Sequence, residues 1–184
     1  MEKKGAICII SGPSGSGKNT VYDGLCLKSD NIAQTISVTT RPPREGETDG
    51  KDYYFVSTED FLRKVEQNEF VEYVKYGNNY YGTLKNEIER LRDEGKTVIL
   101  VIEVEGAFNI KKAFPDAKSI FLVPPSPEEL RRRISCRGQN SDEDIEIRLR
   151  IAEKEMSYKD KYDYCIVNDE LQKCIDEVYD IINK

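Results

Sequence analysis

The apolar run AICII at residues 6–10 breaks directly into SGPSGSGKNT. A short apolar run bounded by turn residues reads as a buried strand of a parallel sheet. The residues from Lys18 to about Leu27 read as a helix. Between them, Gly12-Pro-Ser-Gly-Ser-Gly17-Lys18 has the spacing GxxxxGK. Strand, glycine loop and helix in that order are the context that makes such a run a phosphate-binding loop. Glycines let backbone N–H groups converge on phosphate oxygens, and the helix N-terminus adds positive partial charge. On this reading Gly12, Pro13, Ser14, Gly15, Ser16, Gly17, Lys18, Asn19 and Thr20 form the nucleotide phosphate site, with Lys18 reaching the terminal phosphates. The residue after the lysine is Asn19, where a Ser or Thr hydroxyl would normally contact Mg²⁺. An amide does not imitate that hydroxyl. The metal is therefore expected to be held mainly by phosphates and waters, with no direct side-chain ligand.

Further apolar runs at 97–104 (TVILVIEV), 118–123 (KSIFLV) and 164–167 (YCIV) read as buried strands alternating with helices. Helices are expected at about 84–94, ending at Gly95, from Pro127 with Ser126 as N-cap, at 142–157 and at 169–182. Such alternation predicts an α/β fold with a parallel sheet. The stretch between 34 and 83 is more polar: short strands at 53–56 and 70–74 flank a helix at about 58–67, and GNNYYG has hairpin chemistry. It reads as a separate small lobe. Six of the eleven arginines fall between 131 and 150, which suits a segment that closes over an anion.

Composition removes whole classes of chemistry. The 184 residues contain no histidine, which excludes histidine general bases, triads and ligands. A formal net charge of −6 makes duplex nucleic acid an unsuitable partner. The five cysteines are widely spaced and form no CxxC pair, which fits a reducing cytoplasm. Neither a secretory signal nor a membrane span is expected, since no apolar run is long enough.

Two further clusters carry recognition chemistry. In Ser37-Val-Thr-Thr-Arg41-Pro-Pro-Arg44-Glu-Gly-Glu47, followed by Tyr53, two arginines three apart can grip one phosphate with forked hydrogen bonds. Taken alone, two such arginines are more often a solvated face. Glu72 in EFVEY and the hydroxyls of YYGT place a carboxylate near Tyr80, Tyr81 and Thr83. A carboxylate suits guanine, whose N1–H and N2–H₂ are adjacent donors, whereas adenine offers no such pair.

Taken jointly, GPSGSGK, SVTTRPPREGE with DYYF, EFVEY, YYGT, IEVEGA, LRRRISCRG with IRLRIAEKE, and IVND resemble the guanylate kinase family, in its order, over about residues 5–180. The resemblance implies a three-layer phosphate-loop core, a small mixed α/β lobe for GMP and a helical lid. It divides the chain into a core of 1–35, 86–126 and 156–184, a GMP lobe of 36–85 and a lid of 127–155. It implies that Ser37, Arg41, Arg44, Tyr53, Glu72, Tyr81, Thr83 and Glu103 bind GMP. Lys18 and the lid arginines Arg133, Arg137 and Arg148 would be catalytic, and Asn168 would lie near the adenine of ATP. Thr83 stands where Ser is usual, Val101 where an acid is common and Glu105 where Gln is common. The implied reaction is Mg²⁺-dependent transfer from ATP to GMP, and to dGMP, without a general base. Two rivals share these motifs: a scaffold module that keeps the GMP lobe as a peptide site, and a kinase for another monophosphate.

Overall fold

The computed structural model describes residues 4–135 and 142–184. Its larger sheet contains β1 (Ile7–Ser11), β2 (Ile32–Gln34), β7 (Thr97–Val101), β8 (Lys118–Val123) and β9 (Tyr164–Val167), in the order β2-β7-β1-β8-β9. Every pairing in it is parallel. Its helices are α1 (Lys18–Lys28), α3 (Lys85–Asp93), α4 (Val104–Ala113) and α7 (Leu171–Asn183). The side-chain period of two explains the layering. Cys8 and Ile10 of β1 pack with Val21, Leu25, Cys174 and Ile175 of α1 and α7, while Ile7 and Ile9 pack with Ile88, Leu91, Ala107 and Ile110 of α3 and α4. The sheet is thus covered by helices on both faces, as an all-parallel sheet requires.

A second, four-stranded sheet has the order β4-β3-β6-β5, from β3 (Val38–Thr39), β4 (Tyr54–Phe55), β5 (Phe70–Tyr76) and β6 (Asn79–Leu84). Helix α2 (Thr58–Glu66) covers it, with Ser57 capping through Asp60 N–H. Phe61 is fully buried there and stacks on Phe70 and Tyr80, with ring centroids 4.4 and 5.3 Å apart. Helices α5 (Pro127–Ser135) and α6 (Asp142–Met156) form a third packing unit around Leu130, Ile134, Ile145 and Ala152. Ser126 Oγ caps α5 by accepting from Glu129 N–H at 3.1 Å.

Three local expectations change. The apolar run at 97–104 is not one strand: β7 stops at Val101, and α4, which periodicity did not separate from it, begins at Val104. The parallel sheet gains an edge strand, β2, from a segment too short and polar to show a pattern. Cys8 is buried as a core strand implies, whereas Cys165 is exposed because β9 is the other edge. Among the described residues, no helix is long and apolar enough to cross a membrane.

Removing the Phe61 ring, which α2 packs onto the second sheet, leaves a cavity that its aromatic neighbours cannot fill. Phe61→Ala is expected to lower stability by about 3–5 kcal/mol, read as a reduced urea midpoint.

Candidate active site

The phosphate loop leaves the C-terminal end of β1, between β7 and β8, where open parallel sheets form their ligand crevice. Gly12 has a φ of 142°, and a Cβ there would lie 2.2 Å from Leu122 O. Only a glycine lets the loop pass this close to β8. Gly17, at φ 91°, caps α1 without a side-chain hydrogen bond, so the first-turn N–H groups of α1 point into the loop. Lys18 Nζ donates to Gly12 O at 2.6 Å and to Pro13 O at 3.3 Å, and lies 4.0 Å from Glu103 Oε1. Buried Asn168 closes the loop from the far side, donating through Nδ2 to Ser16 O at 2.8 Å. Its own carbonyl accepts from Arg133 at 3.0 Å. Gly15, Gly17, Arg132, Arg133 and Asn168 border a cavity of about 360 Å³ beside the loop. Arg133 is also held by Glu129, at 2.7 Å, and the Arg132 and Arg133 guanidiniums hold that carboxyl down at about 2.

On the second sheet, Glu47 takes both terminal nitrogens of Arg41 at 2.8 and 2.9 Å, and accepts Arg44 N–H at 2.7 Å. These two donors, Arg41 first, hold Glu47 at about 2. The Arg41 guanidinium lies 5.5 Å over the Tyr53 ring and faces the Tyr81 hydroxyl. Tyr53 and Tyr81 meet edge to face at 6.2 Å. Ser37 anchors β4 through its carbonyl, which accepts Tyr54 N–H at 2.9 Å. A bulge in β5 between Phe70 and Glu72 sends Val71 against the main core and brings Glu72 opposite Thr83. Thr83 Oγ1 then donates to Glu72 Oε1 at 2.7 Å. Burial raises the Glu72 carboxyl above its ordinary value, and the hydrogen bonds from Thr83 pull against it.

Helix α4 joins the two clusters. Glu103 is its N-cap residue and stands beside Lys18, while a Cβ on Gly106 would lie 3.5 Å from Glu72 Cγ. The structure therefore brings together the loop, Arg133, Asn168 and Glu103 on one side and Ser37, Arg41, Arg44, Tyr53, Tyr81, Glu72 and Thr83 on the other. Arg148 is half-buried on α6, and Arg137 lies outside the described residues. Sequence reasoning assigned no place in the site to Glu47, Glu129 or Glu155. The first two had a signal: Glu47 sits three residues after Arg44, and Glu129 is one helical turn before Arg133.

The family model "Guanylate kinase" matches residues 4–184. A guanylate kinase of Clostridium tetani is 44% identical over 181 residues, covering 98% of this chain and 86% of the relative. One of Caldanaerobacter subterraneus is 42% identical, covering 99% and 88%. The crystal structure of guanylate kinase from Anaplasma phagocytophilum superposes with a TM-score of 0.73 at 37% identity, covering 99% of this chain and 86% of that one.

The crowding at Gly17 is directly testable. An alanine Cβ would lie 2.3 Å from Asn168 Nδ2 on a backbone that L side chains rarely adopt. At about 1–2 kcal/mol of left-handed strain, Gly17→Ala is expected to weaken tripolyphosphate binding roughly tenfold by calorimetry.

Proposed function

The chain belongs to the guanylate kinase family and phosphorylates GMP with ATP, and we propose that it does so by positioning and charge alone. In this reading the loop from Gly12 to Thr20, with Asn168, binds ATP. Ser37, Arg41, Arg44, Tyr53, Glu72, Tyr81, Thr83 and Glu103 bind GMP. Lys18, Arg133, Arg137 and Arg148 are the catalytic cations. Residues 36–85 form the GMP lobe and 127–155 a lid, on a core made of the rest. The observation that carries this is the span of α4, with Glu103 4.0 Å from Lys18 at its start and Glu72 beside its first turn, 3.5 Å from where a Cβ on Gly106 would lie. One rigid element sets the acceptor pocket against the donor loop.

The guanine edge fits Glu72, whose two oxygens can accept from adjacent N1–H and N2–H₂. Thr83 fixes the carboxylate's rotation at 2.7 Å. The acceptor phosphate fits Arg41 and Arg44, with Tyr53 and Tyr81 alongside. dGMP carries the same base edge and phosphate and is expected to serve as a second acceptor. The acceptor needs no base, because a phosphate monoester with a second pKa of about 6 is already mostly dianionic at neutral pH. The barrier is the approach of two anions, and it is met by preorganised cations. The fold itself holds Lys18 against Gly12 O and Arg133 against Glu129.

For Mg²⁺, the protein offers few oxygens. Lys18 occupies the Gly12 and Pro13 carbonyls, position 19 is an amide, and among the described residues no three acidic or cysteine side chains cluster. This donor set fits a cation that keeps its waters and rests on the ATP phosphates. Such a cation neutralises charge on the transferring group. Closure of the lid over the loop excludes water.

A coupled assay with ATP against GMP, dGMP, AMP, UMP and CMP tests the reading, and transfer only to the two guanine nucleotides is expected. Glu72→Gln should raise the GMP Michaelis constant by up to about 10⁴ with ATP affinity nearly intact. Protonation removes the same acceptor. GMP affinity should therefore fall as pH drops through the raised Glu72 value, above 4.5, and the glutamine variant should lack that step. Lys18→Ala should nearly abolish transfer. Arg148→Ala should lower turnover by about 10²–10³ while each nucleotide alone binds almost unchanged, measured by calorimetry beside steady-state rates.

A further inference from the structure

Glu155 lies in the last turn of α6, two turns after Arg148 and on the same face. It lines a cavity of about 430 Å³ with Glu103, Val104, Phe108, Ile151 and Tyr158. Its Oε2 is buried and has no hydrogen-bond partner. The groups that face it come from every neighbouring element: Ser14 N–H from the loop, Lys18 from α1, Glu103 from α4, and Tyr162 beyond its own helix. Glu105, Lys154 and Tyr158 border the same cavity. The Glu103 and Glu155 carboxyls therefore share surroundings that the Lys18 ammonium also faces.

We propose that Glu155 is a positioning residue for the transfer reaction: its carboxyl fastens α6 to the phosphate loop at Ser14 and holds a proton toward Glu103, and ATP binds best with that proton in place. This rests on the reading of the loop as the ATP site and of α6 as part of the lid. Burial first, and the Glu103 charge second, push the Glu155 carboxyl up to about 7, against the pull of Lys18 and the Ser14 N–H. ATP adds negative charge and draws Lys18 toward its phosphates. The carboxyl pair then loses part of its compensation, so the proton is held more tightly in the complex than in the free protein. Binding takes up a proton from solvent. Affinity is highest below about 7 and falls as pH rises through that value.

Glutamine at this position keeps the shape of the protonated acid: it can donate to Glu103 and accept from Ser14. Metal-free ATP, in EDTA, is titrated into the whole chain and into Glu155→Gln between pH 6 and 9, in two buffers of different protonation heat. The ligand's own titration is common to both proteins. The unsubstituted chain should take up a larger fraction of a proton than the variant near pH 7. A further rise of one unit on binding corresponds to an affinity that falls about tenfold across the range, with the variant flat by comparison. With saturating GMP and MgATP, Glu155→Ala should turn over at least about tenfold more slowly and Glu155→Gln near normally, a rescue that simple loss of packing would not give. Superimposable pH profiles for the chain and Glu155→Gln overturn the proposal, as does equal loss of turnover in both variants. Should the variants not fold, ¹³C NMR of the glutamate side chains decides: Glu155 titrating near 7 supports it, and titration at the ordinary 4.5 overturns it. If the unsubstituted chain transfers phosphate to GMP with a flat pH profile, only this proposal fails. If it transfers none, the assignment of the ATP and GMP sites fails with it.

Discussion

A loop that offers its backbone N–H groups to an anion cannot spend them on itself, and this constraint organises the rest of the molecule. Residues 12–17 contain one internal backbone bond of this kind, Ser16 N–H to Pro13 O at 3.0 Å. The loop's carbonyls must then be satisfied from outside. Lys18 takes those of Gly12 and Pro13, and Asn168 takes that of Ser16. Asn168 can do so because β9 pairs with β8 and its own N–H donates to Val123 O at 2.8 Å. The parallel order β1-β8-β9 is thus what brings residue 168 back to residue 16. Gly12 meets the same requirement at the other end, since β8 leaves no room for a Cβ.

The second dependency runs through one irregular residue. Strand β5 has to serve the main core and the small sheet at once, and a regular strand would alternate between them in the wrong phase. The bulge at Val71 resolves this by burying Val71 with Ile102 in the main core and turning Glu72 to Thr83. The Glu72 side chain then lies beside α4, where a Cβ on Gly106 would come within 3.5 Å of its Cγ, and Glu103 at the start of the same helix stands 4.0 Å from Lys18. The spacing between the Glu72 cluster and the phosphate loop is in this way set by a local insertion and one helix.

Much of this was legible in the sequence because it is carried by short-range patterns. The loop announces itself by spacing, and the strands around it by uninterrupted apolar runs. The N-cap at Ser126 and the turn at Gly95, with φ 74°, follow from local backbone needs. What was illegible depends on neighbours. IEVEGAF carries the apolar character of β7 past Val101, so the start of α4 was read as the end of a strand and the rest of the helix was not assigned, although Glu103 and Gly106 lie at its first turn. Exposure of Cys165 follows from β9 being an edge, which no run of four residues reveals. The Glu103–Glu155 pair lies 52 positions apart and has no spacing rule to betray it.

The charge arithmetic has the same logic. A chain of net charge −6 has to draw in two anionic nucleotides. Cations of the candidate site are paired within the fold: Arg41 with Glu47, Arg133 with Glu129, and Lys18 with loop carbonyls. A guanidinium has five donors and a carboxylate occupies only part of them, so pairing orients the side chain and leaves donors for phosphate. Rotamer entropy that substrate binding would otherwise have to remove is removed in the fold. The arrangement has a limit where two carboxyls come together, as Glu103 and Glu155 do near Lys18. Adding another fixed positive charge there would compete with the metal and phosphates for the same space. Retaining a proton relieves the repulsion without adding bulk. In a chain without histidine, a half-buried carboxyl raised to about 7 is a group that can release or hold that proton near neutral pH.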